Sequence, residues 1–221
     1  LLGGWTTMIN TQRYKDSVKT LQSFIQQQYN LVYNVENGRA ANLSCVGAVV
    51  DDTGPSSGRG QSNCVLMGRF ITVQDGGTRL NVRAVVGQDL DDDNAATSDM
   101  QIIRDSNPRL IPEDIDIGLT YSSLNVPWGA AIVDTDGNAR TMSIAIVRSS
   151  VKVSGSVHTF AVSGITSDIE NMVNINNERD DLPLCLDPGN SFAGGRLGVV
   201  IKGRAGSQSA IQTISDESGV C

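Results

Sequence analysis

The stretch Tyr14-Lys15-Asp16-Ser17-Val18-Lys19-Thr20-Leu21-Gln22-Ser23-Phe24-Ile25-Gln26-Gln27-Gln28-Tyr29-Asn30-Leu31-Val32 decides how this chain is read. Tyr14, Val18, Leu21, Ile25, Val32 and Val35 recur at steps of three, four and seven, and Phe24 and Leu31 widen the stripe. At about 3.6 residues per turn such positions stand on one face of an α-helix. Arg13, Lys15, Asp16, Lys19 and the run Gln26-Gln27-Gln28 fall on the opposite, polar face. No proline interrupts the segment, and after Gly4 no glycine occurs until Gly38. The spacing predicts one amphipathic helix of about thirty residues from Trp5 to Val35, stopped by Asn37-Gly38.

A helix of that length is stabilised mainly by the surface it packs on, and the rest of the chain has the character to supply one. Beyond Gly38, short runs rich in Val, Ile and Thr alternate with Gly, Asn, Asp, Ser and Pro clusters. Strands are predicted at Val46–Val50, Val65–Val73, Thr78–Val86, Ile115–Tyr121, Ala130–Asp134, Thr141–Arg148, His158–Val162, Leu197–Lys202 and Ala210–Ile214. Asp75-Gly76-Gly77 and Asp136-Gly137-Asn138 read as hairpin turns between such runs. Ser167–Val173 reads as a short helix, with Ser167 as cap and Glu170 completing a capping box. One helix followed by many strands, with no βαβ alternation, predicts an α+β fold: a long N-terminal helix, residues 1–38, on a mostly antiparallel β-rich head, residues 39–221.

Composition narrows the function. With 24 acidic and 17 basic residues in 221, the formal net charge is −7, which argues against generic nucleic-acid binding. Aromatic residues make up only 5%, too few for a base-stacking platform. The single histidine, His158, sits in the strand-like Val157-His158-Thr159-Phe160, and there is no Gly-x-Ser-x-Gly elbow. It reads as a strand histidine, the scattered acids give it no constellation, and no enzyme is expected. No cofactor is expected either.

Cys45, Cys64, Cys185 and Cys221 contain no Cys-x-x-Cys spacing, which removes zinc-ribbon and thioredoxin readings. Four cysteines allow three connectivities. Sequential pairing is favoured because it closes the two shortest loops, over 19 and 36 residues, and ties down the last residue. That pairing implies an oxidising, extracytoplasmic compartment.

Two further motifs gather charge. Asp89, Asp91 and Asp93 have the one-three-five spacing of a calcium loop, but Asn94 stands where glycine is required and Met100 where the bidentate glutamate belongs. A solvated acidic loop is the better reading, and no metal site is expected. Arg196, Lys202 and Arg204 gather positive charge on the C-terminal hairpin, a DNA or anion contact to be weighed against an ordinary solvated strand face.

The segment Gln12-Arg13-Tyr14-Lys15-Asp16-Ser17-Val18-Lys19-Thr20-Leu21 followed by Phe24-Ile25-Gln26 resembles the second half of the first helix of type IV pilins and type II secretion pseudopilins. The tail from Cys185-Leu186-Asp187-Pro188-Gly189 through Arg196-Leu197-Gly198-Val199-Val200-Ile201 to Cys221 resembles the closing hairpin of the H-type pseudopilin and its DNA-uptake relatives. The resemblance implies a non-enzymatic subunit of an extracellular filament, homo-oligomeric or mixed with other pilins. It would be anchored in the membrane before assembly by an apolar half-helix, of which Leu1-Leu2-Gly3-Gly4 would be the remnant. On that plan Cys185–Cys221 bounds the C-terminal segment, and Trp5, Met8 and Ile9 face neighbouring subunits. The alternative is a minor tip pilin or surface adhesin that holds DNA or a host surface through Arg196, Lys202 and Arg204.

Overall fold

The stripe of apolar residues does form a helix, α1, over Gly3–Tyr33. The structure, a computed structural model, describes residues 3–34, 44–46, 49–51, 64–88, 90, 98–112, 122–149, 156–189, 195–203, 208–215 and 219–221; Val35 lies outside them. Tyr14, Val18, Leu21, Ile25, Tyr29 and Val32 are each at most 5% exposed. The polar face is narrower than the sequence predicts, because Gln28 is buried as well. Gln28 stands three residues after Ile25 and four before Val32, so the helix period itself puts it in the apolar stripe. Burial, with Tyr33 as the lesser cause, pushes the Tyr29 phenol up to about 12 and keeps it neutral.

The strands are β1 (Ser44–Val46), β2 (Val49–Asp51), β3 (Cys64–Gln74), β4 (Arg79–Gln88), β5 (Arg109–Leu110), β6 (Ser122–Asn125), β7 (Ala131–Val133), β8 (Met142–Arg148), β9 (Val157–Ser163), β10 (Asp181–Asp187), β11 (Leu197–Lys202) and β12 (Ile211–Ser215). Two short helices, α2 (Asp99–Asp105) and α3 (Ile169–Met172), lie between them. A six-stranded sheet runs β5-β4-β3-β8-β9, with β6 sharing the β5 edge of β4. A four-stranded sheet runs β12-β11-β10-β7, and β1 and β2 pair alone. Every strand pair among the described residues is antiparallel, so the α+β architecture read from the sequence is the one observed.

Period-two alternation divides the six-stranded sheet into two buried faces. On β8, Met142, Ile144 and Ile146 face the main core, which also takes the α1 stripe together with Leu184, Leu186, Val199 and Ile201 of the four-stranded sheet. Ala145 and Val147 face the other way, into a second core with Phe70 and Phe160 beneath Ile103 of α2 and Ile169 and Met172 of α3. Polar contacts fix α1 on the four-stranded sheet and on the turn before β7. The Tyr14 hydroxyl donates to the Leu186 carbonyl at 2.7 Å and accepts from the Leu197 amide at 2.7 Å. Ser17 Oγ lies 2.9 Å from the Pro127 carbonyl oxygen.

Several local expectations change. Val46–Val50 is not one strand but parts of two, β1 and β2, paired as a hairpin with Cys45 opposite Val50. Asp136-Gly137-Asn138 is a turn closed by a single bridge, Val133 to Ala139, after which the chain crosses to β8 in the other sheet. The Asp134 carboxylate accepts from the Asn138 and Asp136 amides at 2.8 and 3.0 Å, and the Asn138 amide is the first cause holding its pKa below the usual value. The cap of α3 is Asp168 rather than Ser167: its carboxylate accepts from the Asn171 amide at 3.0 Å. Glu170 pairs with Arg109 instead of closing a capping box. Strands β5, β6 and β10 and helix α2 were not legible. β10 carries Pro183, which argues against a central strand. It is tolerated because β7 pairs only with Cys185, Leu186 and Asp187, leaving the Pro183 end uncovered on that side. The predicted strand Ile115–Tyr121 lies outside the described residues.

Candidate functional site

The first turns of α1 precede the stripe that covers the sheets, and the two apolar side chains described there, Met8 and Ile9, face outward. Met8 is 74% exposed and Ile9 46%. Trp5 belongs to the same helix, but its side chain is outside the described residues. Trp128, 60% exposed, extends this surface: the Arg13 guanidinium lies over its ring at 4.8 Å from the centroid, and Ile9 stands one helical turn before Arg13 on the same face. Trp128 was missed in the sequence. The signal for it is an aromatic residue placed in a tight turn, Val126-Pro127-Trp128-Gly129, where it holds φ at 60°.

The basic hairpin is less open than its composition suggests. Arg196 and Lys202 stand just before and at the end of β11, about 20 Å apart at roughly 3.3 Å per residue. Arg196 donates to the Thr135 carbonyl at 2.9 Å. Lys202 is 2.6 Å from an Asp181 carboxylate oxygen on the neighbouring strand. The two charges therefore do not converge on one ligand position. Arg204 lies outside the described residues, as do Asp89, Asp91 and Asp93. Among the described residues no group of three or more His, Cys, Asp or Glu side chains is placed to hold a metal ion.

His158, read from the sequence as an isolated strand histidine, has two carboxylates beside it. It is 6% exposed on β9, with Nδ1 at 2.8 Å from Glu178 Oε1 and Nε2 at 3.7 Å from Asp99 Oδ2. Asp99 is the first residue of α2, and Ser149 Oγ reaches its other oxygen at 3.5 Å. Nδ1 and Glu178 Oε1 share this hydrogen bond, which Nδ1 donates when the carboxylate is ionised, since an ionised carboxylate only accepts. Asp99 and Glu178 lie far from His158 in sequence, and only the fold brings them together. Both acids and the imidazole are largely buried. The cluster thus ties α2 and the turn before β10 to the edge strand β9.

Both cysteine pairs are bonded as sequential pairing predicts, Cys45–Cys64 and Cys185–Cys221. The second joins the last residue to β10, where Cys185 faces Gly198 of β11. No helix among the described residues is long and apolar enough to cross a membrane. No protein-family model, no curated protein and no solved structure matches this chain.

Proposed function

We propose that this chain is a non-enzymatic structural subunit of the pilin or pseudopilin kind, which joins an extracellular filament through the first turns of α1. The observation that carries the reading is the division of labour along one helix. Its later turns bury Tyr14 to Val32 in the main core, whereas Met8 and Ile9 leave apolar surface uncovered at its start. A surface on one side of a subunit that meets a different surface on the next copy gives a heterologous contact, and such contacts propagate into open helical filaments. The Arg13–Trp128 pair widens the apolar area against which a neighbour would pack. Two disulfides suit an oxidising compartment outside the cytosol. The alternative, a DNA or host-surface contact through the C-terminal hairpin, draws less support, because Lys202 is paired with Asp181 and Arg196 donates to the Thr135 carbonyl.

The test is sedimentation and electron microscopy of the natural full-length gene product, alone and with Met8→Asp and Ile9→Asp introduced together. The native product is expected to sediment as filaments. The double variant should stay subunit-sized while melting at the native temperature, since both side chains are exposed. A native product that stays monomeric, or a variant that still assembles, refutes the reading.

A further inference from the structure

β4 alternates in a way that leaves a charged row on the sheet face turned away from α1. Leu80 and Val82 enter the main core beneath the helix. Arg79, Asn81 and Arg83 therefore point to the opposite face. Their partners across the β3–β4 pairing are Gln74, Thr72 and Phe70. α2 and α3 cover only the far part of that face, around Phe70 and Val85. The remainder is a groove of about 550 Å³, floored by these two rows and walled by Ser122 and Ser123 on one side and Ile165 to Ser167 on the other.

The chain has a formal net charge of −7, yet neither Arg79 nor Arg83 has an acidic partner among the described residues. Arg79 donates to the Asn81 side-chain oxygen at 3.1 Å, and Arg83 to the Ile111 carbonyl at 2.6 Å. Among the described residues the Arg83 Nε, shielded from solvent, has no hydrogen-bond acceptor.

We propose that this groove binds an acidic oligosaccharide, one whose sugar units carry a carboxylate. Guanidinium groups match a carboxylate with paired, charge-assisted hydrogen bonds. Amides and hydroxyls such as Asn81, Gln74, Thr72 and Thr166 both donate and accept, as sugar hydroxyls require. Ile165, 58% exposed at the rim, offers apolar surface to the C–H face of a sugar ring. A nucleic acid fits less well, because Phe70, the one aromatic side chain among the described residues of the groove, is 1% exposed and cannot stack on a base. The volume falls within the range of ordinary small-ligand sites.

The probes are trigalacturonate and 3′-sialyllactose, with methyl-esterified trigalacturonate, maltotriose and inorganic sulfate as controls, followed by calorimetry and by amide chemical shifts. At least one acidic sugar is expected to bind with a Kd of about 0.1–1 mM and to move the Arg79, Asn81, Arg83 and Thr166 amides. The ester, the neutral sugar and sulfate should bind about tenfold more weakly or not at all. Arg79→Gln should weaken the acidic sugar about tenfold with an unchanged melting temperature, since Arg79 is exposed and its only described hydrogen bond is to Asn81. Arg83→Gln should do the same, and Arg79→Gln decides the matter if Arg83→Gln fails to fold. No binding of either acidic sugar at about 10 mM, equal binding of the ester or of sulfate, or undiminished binding by Arg79→Gln would each overturn the proposal.

Discussion

At His158 a polar side chain is held in a nearly closed site by two acids, and its energetic weight follows from what its removal leaves behind. The Glu178 side chain is only 7% exposed, as is that of His158. Truncating the imidazole strips a buried carboxylate of a 2.8 Å hydrogen bond and opens a cavity where His158 lies alongside Phe160. His158→Ala is therefore expected to lower the free energy of unfolding by about 2–3 kcal/mol in urea denaturation. Glu178→Gln should cost clearly less, because an amide oxygen still accepts from Nδ1. A loss below about 0.5 kcal/mol for His158→Ala, the size of an ordinary surface substitution, would mean that the cluster does not hold α2 and the turn before β10 on β9.

The helix α1 shows at the scale of one element how burial separates folding residues from surface residues. Leu21 and Ile25 are fully buried between the two sheets, whereas Met8, on the same helix, is 74% exposed. Leu21→Ala is expected to cost about 2–5 kcal/mol, the lost transfer free energy plus that of the cavity left behind. Met8→Ser should stay within about 0.5 kcal/mol of the native protein. Chemical denaturation of the two variants side by side checks the contrast. Comparable losses would show that the first turns of α1 are packed in the fold and are not free for a neighbour. The stripe was readable because a helix repeats on a period shorter than the segment. Gln28 was misread because residue type was weighed above position, and position places it between Ile25 and Val32 on the buried side.

Over the whole molecule, the two ends of the chain are fastened to the same layer of strands. Tyr14 of α1 hydrogen-bonds across the Leu186–Leu197 pair of β10 and β11, and Cys221 is bonded to Cys185 on β10. Gly198 makes room for that bond: a Cβ there would lie 2.9 Å from Cys221 Sγ and against the Leu184 carbonyl. Replacing Cys185 and Cys221 together by serine should lower stability by about 3–4 kcal/mol in urea, from the loop entropy of a 36-residue closure. A change below about 1 kcal/mol would mean that the C-terminal segment is fastened by other contacts. The sequence by itself determined the helix stripe, the long strand pair around Asp75-Gly76-Gly77, most later strands, the α+β class and the favoured disulfide pairing. Each of these is written in local periodicity, turn chemistry or loop length. Only the tertiary structure decided that β7 joins β10 rather than β8, that His158 meets Asp99 and Glu178, and that Arg79 and Arg83 share a groove with no acid among its described residues. Those pairings depend on which distant strands become neighbours. Local pattern says which side of an element is apolar, but not what the other side will face.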